Sequence, residues 1–232
     1  MTKNMKKDFI IAAAIVLILI IGSVSAYFTS SDKASNIWTV GEIDIDLQEP
    51  GWDEDNPPEK IKPNQVFEKD PQIKNIGENE AYVFLKVRVP MANVATANVT
   101  TGERLGSANQ ELFTYSVNPG WVQVGSSAVE NIGGTDYMTY VYAYGLAQEC
   151  VALAPGSTTA PSLFSQVKLI NVIEGQGMEN ATLEMPIEAY GIQTTDLTDN
   201  DVKSPEAVWQ ILNNQTVSNG GAVSPYDDGI SN

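Results

Sequence analysis

The chain has 232 residues, a formal net charge of −16, one cysteine and no histidine. That length suits one sizeable domain with its own core, and the acidic balance argues against nucleic-acid binding and against docking on anionic membrane surfaces. Without histidine there is no zinc-protease helix motif, no Ser-His-Asp triad and no Cys-His pair. Cys150 alone cannot close an internal disulfide. It reads as a small buried apolar side chain, with an intermolecular bridge as the alternative.

In chain order, the first element has the pattern of an export leader. Lys3, Lys6 and Lys7 precede an apolar run over residues 9–21, and the small-residue stretch 22–26 ends on Val24, Ser25 and Ala26. This predicts a signal peptide over 1–26, cut between Ala26 and Tyr27. Membrane contact would then be confined to the uncut form. Loss of the leader, with its three lysines and one aspartate, takes the net charge to about −18. An uncleaved, pilin-like helix is the rival. Against it, no glutamate follows within the apolar run, and residues 27–47 look extended rather than helical.

Residues 38–47 alternate, with Ile43, Ile45 and Leu47 on one face and Glu42, Asp44 and Asp46 on the other, which is strand periodicity. A Pro-rich acidic loop follows over 49–63. Residues 66–75 and 81–89 read as two antiparallel strands joined by a turn over 75–79, with Gly77 available for positive φ. In the second strand Val83, Leu85, Val87 and Val89 point to the core, and Tyr82, Phe84, Lys86 and Arg88 form an amphipathic outer face. Pro71 marks an edge position.

Residues 91–110 have no clear period and read as an irregular excursion. Short strands are expected over 113–117 and 121–124, around the turn Asn118, Pro119, Gly120. Residues 137–144 form an aromatic strand, with Met138, Tyr140, Tyr142 and Tyr144 on one face and Tyr137, Thr139, Val141 and Ala143 on the other. A connector over 153–162 leads to strands over 163–174 and 182–193. The last has Leu183, Met185, Ile187 and Ala189 on one face. Ser204, Pro205 and Glu206 then open a helix with Ala207, Val208, Ile211 and Leu212 as its apolar stripe. The remaining residues, from 213 or 214 to 232, read as a flexible tail. Some eight short strands at this spacing predict an all-β, two-sheet sandwich with a short C-terminal helix. The predicted domain covers 27–213.

Three stretches together carry a family resemblance. The first is Tyr27 and Phe28 after the cleaved Ala26, followed by Ile37, Trp38, Val40, Gly41, Ile43, Ile45 and Leu47. The second is residues 63–77 followed by Ala81, Tyr82 and Val83. The third is Glu188, Ala189, Tyr190, Gly191, Ile192 and Gln193, ahead of an acidic loop and a helix containing Ala207, Val208 and Trp209. In this order they resemble the TasA/camelysin family of Gram-positive bacterial surface proteins, exported through the SipW type of signal peptidase. The match covers the two ends of the chain and leaves about 90–165 unmatched. The resemblance implies a jelly-roll-like sandwich and a secreted subunit of cell-surface or biofilm-matrix fibres. It also implies assembly by strand donation through residues 27–47, with Tyr27, Phe28, Ile37, Trp38 and Val40 as polymerisation anchors. Partners would be other copies of the chain, a SipW-type peptidase and an accessory fibre-anchoring protein. The protease activity sometimes ascribed to camelysin-type proteins finds no histidine ligand here.

Competing chemistry is sparse. Asp196, Asp199 and Asp201, with Asn200 among them, offer oxygens for Ca²⁺. They lack the EF-hand glycine and terminal glutamate, so a solvated loop is the plainer reading. The residues 52–56, including Asp53, Glu54 and Asp55, weigh no more. The tyrosine row suits either a sugar-binding face or ordinary cross-strand packing. Asn98, Asn180 and Asn214 begin glycosylation-type triplets that, beside a bacterial leader, read as chance. No catalytic pair and no cofactor is expected. The alternatives to a fibre subunit are a monomeric adhesion or carbohydrate-binding module on the aromatic face and, more weakly, a secreted metalloprotease.

Overall fold

The computed structural model describes residues 43–52, 61–173, 182–198 and 202–217. The leader, the Ala26/Tyr27 cut, the anchors Tyr27, Phe28, Ile37, Trp38 and Val40, and Asp199 and Asp201 lie outside those residues.

The described chain is an all-β sandwich with one helix. Its strands are β1 (Ile45–Gln48), β2 (Val66–Glu68), β3 (Gln72–Asn75), β4 (Ala81–Val94), β5 (Ala108–Glu111), β6 (Phe113–Tyr115), β7 (Trp121–Gln123), β8 (Ala128–Ile132), β9 (Thr135–Leu146), β10 (Glu149–Cys150), β11 (Gln166–Leu169) and β12 (Ile187–Gln193). The helix α1 spans Pro205–Val217. One layer is a seven-stranded sheet built on β4 and β9, with β12 beside β4 and both β7 and β8 beside β9. The facing layer comprises the β1-β3 pair and the β2-β11-β6 sheet. Every strand pairing is antiparallel.

Alternation in β4 explains why the sheet has two apolar faces. Val83, Leu85, Val87 and Val89 are fully buried and meet Ile43, Ile45, Ile73, Val167 and Leu169 from the facing layer. The opposite face differs from its expected amphipathic character, because Tyr82, Phe84 and Arg88 are buried too. Helix α1 covers part of that face. Val208 and Leu212 are buried against Phe84, Ala143, Cys150, Tyr190 and Ile192, and the Trp209 ring lies 5.3 Å from both Phe84 and Tyr190. Pro205 takes the first helical position, Glu206 lies in the first turn, and the Val208 N–H donates to the Ser204 carbonyl at 3.0 Å. The helix runs to Val217, so the predicted tail from 213 begins inside it.

Other expectations shift for identifiable reasons. Residues 66–75 are two strands in different sheets, and β3 pairs with β1 rather than with β4. The break falls at Lys69, Asp70 and Pro71. There the Lys69 N–H bonds Ser165 and the Pro71 carbonyl accepts from Leu163. The turn after β3 is held by the buried Asn75 side chain, which donates to the Asn79 and Leu153 carbonyls at 2.8 and 2.7 Å and accepts from the Gly77 N–H. It carries the chain from one sheet to the other, and Gly77 is not among the positive-φ residues. The stretch 91–110 is partly regular: β4 runs on to Val94 and pairs with β5. The strands predicted over 163–174 and 182–193 are shorter, at Gln166–Leu169 and Ile187–Gln193. The count of eight rises to twelve largely because β5, β8 and β10 are short and polar or Gly-bounded.

Among the described residues no helix is long and apolar enough to cross a membrane. Asp196 occupies a left-handed turn with φ 58°, which aspartate tolerates. The described residues contain no cluster of three or more metal-ligating acidic or cysteine side chains.

Candidate functional site

A strand edge with no partner among the described residues is the site this fold presents most clearly, and backbone parity locates it. The Arg88 N–H donates to the Pro186 carbonyl at 2.9 Å. In an antiparallel ladder the inward and outward backbone groups alternate. With Glu188 opposite Lys86 and Tyr190 opposite Phe84, the even-numbered residues of β12 bond to β4. The backbone groups of Ile187, Ala189, Gly191 and Gln193 therefore point away from β4. Among the described residues β12 pairs only with β4, and none bonds to its outer edge.

The side chains of the same set face the core. Ala189 is fully buried, and Ile187 packs against the main cluster. At Gly191 a Cβ would lie 3.2 Å from the Ile43 Cγ2 and 3.3 Å from the Ile45 side chain. Glycine is thus what lets β1 approach the inner face of β12. β1 itself is paired to β3 within its own chain, with Ile45 opposite Asn75 and Leu47 opposite Ile73. Residues 43–47 of the predicted donor segment are engaged in cis, since Ile43 packs in the main core and the Asp44 carbonyl accepts from the Ile76 and Gly77 N–H groups; residues 27–42 lie outside the described residues.

Behind this edge sits a buried charge network. The Arg88 Nη1 lies 2.9 Å from the Glu188 Oε1 on β12, and its Nε lies 2.9 Å from the Glu130 Oε2 on β8. Lys86 adds a 3.3 Å contact to Glu130. The Tyr190 hydroxyl donates to the Glu188 Oε2 at 2.6 Å. Arg88 is 1 % exposed, and the four charges balance. Burial raises the Glu130 carboxyl pKa, but the Arg88 hydrogen bond and the charges of Lys86 and Arg88 outweigh it and hold the group below its ordinary value. Burial, then the Glu188 charge and hydrogen bond, push the Tyr190 phenol upward. The network joins β12, β4 and β8 across the sheet.

The tyrosine row is committed to structure. The Tyr140 hydroxyl donates to the Glu111 Oε1 at 2.7 Å, the Tyr142 and Tyr115 hydroxyls meet at 3.0 Å, and the Tyr144 hydroxyl donates to the Ala160 carbonyl at 3.1 Å. Tyr115 also packs on Phe164, and Tyr144 on Trp121. Burial is the main reason the Tyr115, Tyr140 and Tyr142 phenols are all raised. The row faces the core, with each hydroxyl already bonded. Cys150 is buried and free; burial, then the charge of Glu149, pushes its thiol up to about 12. That matches the small-apolar reading and makes thiolate chemistry negligible near neutral pH.

Sequence reading missed Glu130, Glu188 and Arg88 as partners. Glu188 carried a local signal, standing between Pro186 and Tyr190 on its face, whereas Arg88 shares its face with Lys86. Sequence reading also missed the β8-β9 hairpin, although Gly133 and Gly134, both at positive φ, mark the two-residue turn. No protein-family model matches the chain, and no curated protein or solved structure matches it either.

Proposed function

We propose that the chain is a secreted structural subunit of cell-surface or biofilm-matrix fibres. It assembles when signal peptidase frees an N-terminal segment that pairs with the sheet of a neighbouring copy. The single observation that carries this reading is the outer edge of β12, which no described residue pairs with and where Ile187, Ala189, Gly191 and Gln193 offer backbone donors and acceptors. Strand addition uses such an edge, with backbone bonds giving affinity and side-chain sites giving register. The resemblance of residues 27–47 to the TasA/camelysin family supplies the donor and a jelly-roll-like topology for the sandwich. Tyr27, Phe28, Ile37, Trp38 and Val40 are the proposed anchors, and cleavage after Ala26 is the switch. The uncut chain keeps its donor at the membrane. An accessory anchoring protein would tie the fibre to the cell, placing the product at the surface or in the matrix. No metal or cofactor enters this mechanism.

The adhesion-module alternative loses its main support, because the hydroxyls of Tyr140, Tyr142 and Tyr144 are bonded inside the molecule. For the test, residues 27–40 are replaced by a Gly/Ser stretch of equal length, leaving the leader and cut site intact. The exported product is sequenced from its N-terminus and viewed by electron microscopy. Cleaved, folded and fibre-free protein is the expected result. Undiminished fibres from that variant, or export with the leader retained, would refute the proposal.

A further inference from the structure

We propose that the outer edge of β8 is a second assembly surface, which takes β8 of another copy in an antiparallel, two-fold pair. It is independent of the β12 edge and of the N-terminal segment. Three observations carry it.

The first is backbone parity. The Val124 N–H donates to the Val141 carbonyl, and the Gly145 N–H to the Gly120 carbonyl, both at 2.8 Å. Odd-numbered residues of β9 therefore bond toward β7 and β8, and the unbroken register with β4 carries that parity down to Tyr137. Since Ala128 faces Thr139 and Glu130 faces Tyr137, the backbone groups of Val129 and Asn131 point outward. No described residue pairs with that edge.

The second observation is the missing protection. Natural sheets blunt open edges with lysine, proline or a covering element. From Trp121 to Thr135 there is no lysine, arginine or proline. The one charge on β8, Glu130, is drawn back across β9 to Arg88 and Lys86, away from the edge. Val129 is 54 % exposed and Ile132 37 %.

The third is electrostatic and shows where a second copy fits. Copies carrying −16 each repel one another over most of their surface. The β8 edge is a strip where two copies can meet without placing uncompensated charge at the contact. A two-fold axis at Glu130 sets Val129 opposite the partner copy's Asn131, giving about four backbone hydrogen bonds. It also sets Ile132 beside the partner copy's Ala128. The two Glu130 carboxylates stay with their own cations.

Sedimentation velocity on the purified full-length chain, compared with Val129→Pro, Val129→Lys and Val129→Thr, tests this. All four proteins share the N-terminal segment, so association through it is common to them. Proline removes the outward N–H of Val129 and fixes its φ, and lysine adds edge charge at an exposed site without touching the backbone. Threonine keeps the backbone donor while reducing apolar surface. Wild type and Val129→Thr should self-associate alike, and Val129→Pro and Val129→Lys should weaken the association constant by roughly tenfold or more. Amide exchange at high concentration should show protection of Val129 and Asn131 that is lost in both weakened variants. Equal association of Val129→Lys and wild type would overturn the proposal, as would a loss in Val129→Thr as large as in Val129→Lys. β12 protection that disappears together with β8 protection in Val129→Lys would also overturn it, because that pattern means head-to-tail β8-to-β12 pairing.

Discussion

Replacing Arg88 by methionine removes the cation at the centre of the buried network and leaves Glu188 with the Tyr190 hydroxyl as its described hydrogen-bond donor. Glu188 is 3 % exposed, so water cannot compensate the stranded carboxylate. Breaking a buried pair in this way costs about 3–5 kcal/mol. With a urea m-value of about 2–3 kcal/mol/M, the unfolding midpoint should fall by roughly 1–2 M. Glu130→Gln removes the other partner but strands no buried charge, because Arg88 keeps its ion pair to Glu188 and the amide oxygen can still accept from its Nε; with Glu130 itself 35 % exposed, the change should cost no more than about 1 kcal/mol. The double variant Arg88→Met/Glu188→Leu leaves the Tyr190 hydroxyl short of an acceptor, a loss of about 1–3 kcal/mol, while removing the stranded charge. It should therefore be more stable than Arg88→Met alone. Tryptophan fluorescence suits the measurement, since Trp209 packs on Tyr190 beside the network. Equal midpoints for Arg88→Met and Glu130→Gln, or a double variant less stable than the single, would refute the assignment of the cost to a stranded buried charge.

Two further predictions follow from the same sheet. The folded-state pKa of Glu130 lies below its unfolded value near 4.5, so its contribution is fully present above that pH and is lost as pH falls through the folded value. The stability difference between wild type and Glu130→Gln, measured by urea melts from pH 7 to pH 2.5, should accordingly shrink toward zero at the acid end. Gly145, at φ 151°, has no room for a side chain, because a Cβ would meet the Glu149 carbonyl oxygen and lie 2.8 Å from the Cys150 Cα. Gly145→Ala should destabilise by at least about 2 kcal/mol, read as a lowered melting temperature, whereas Gly134→Ala at the open hairpin turn should cost less.

The sequence announced the sandwich because one face of each long strand is strictly apolar. Val83 to Val89 and Leu183 to Ala189 keep period two, and all of them contact the main core. The same patterning misled wherever the second face was buried as well. Lys86 and Arg88 look like solvent-facing residues until Glu130 and Glu188 are brought beside them from strands 42 and 100 positions away. Such pairing is invisible to local periodicity, since it depends on strand order. Strand order failed for a related reason. Residues 66–75 and 81–89 are adjacent in sequence with a turn between them, which favours a hairpin a priori. The buried Asn75 side chain instead satisfies three backbone groups of a sheet-to-sheet crossing.

Edges are harder still to read, because an open edge is defined by a partner that is missing. β12 has no compositional mark of exposure: its inward side chains are small or apolar, as in any central strand, and Gly191 looks like a weak point. Only the pairing to β4 on one side, with the side chains of Ile43 and Ile45 approaching Gly191 from the inner face, reveals that its other backbone edge has no partner among the described residues. At β8 the reverse holds, since the exposed Val129 and Ile132 mark an edge in a stretch for which the sequence made no assignment. The two edges flank the same sheet and are linked through Arg88 to Glu188 on one side and Glu130 on the other. A load applied along the sheet, from one neighbour to the next, would pass through that buried network. In the proposed fibre, that would be a physical reason for the subunit to carry a balanced ion cluster where hydrophobic packing alone would serve stability.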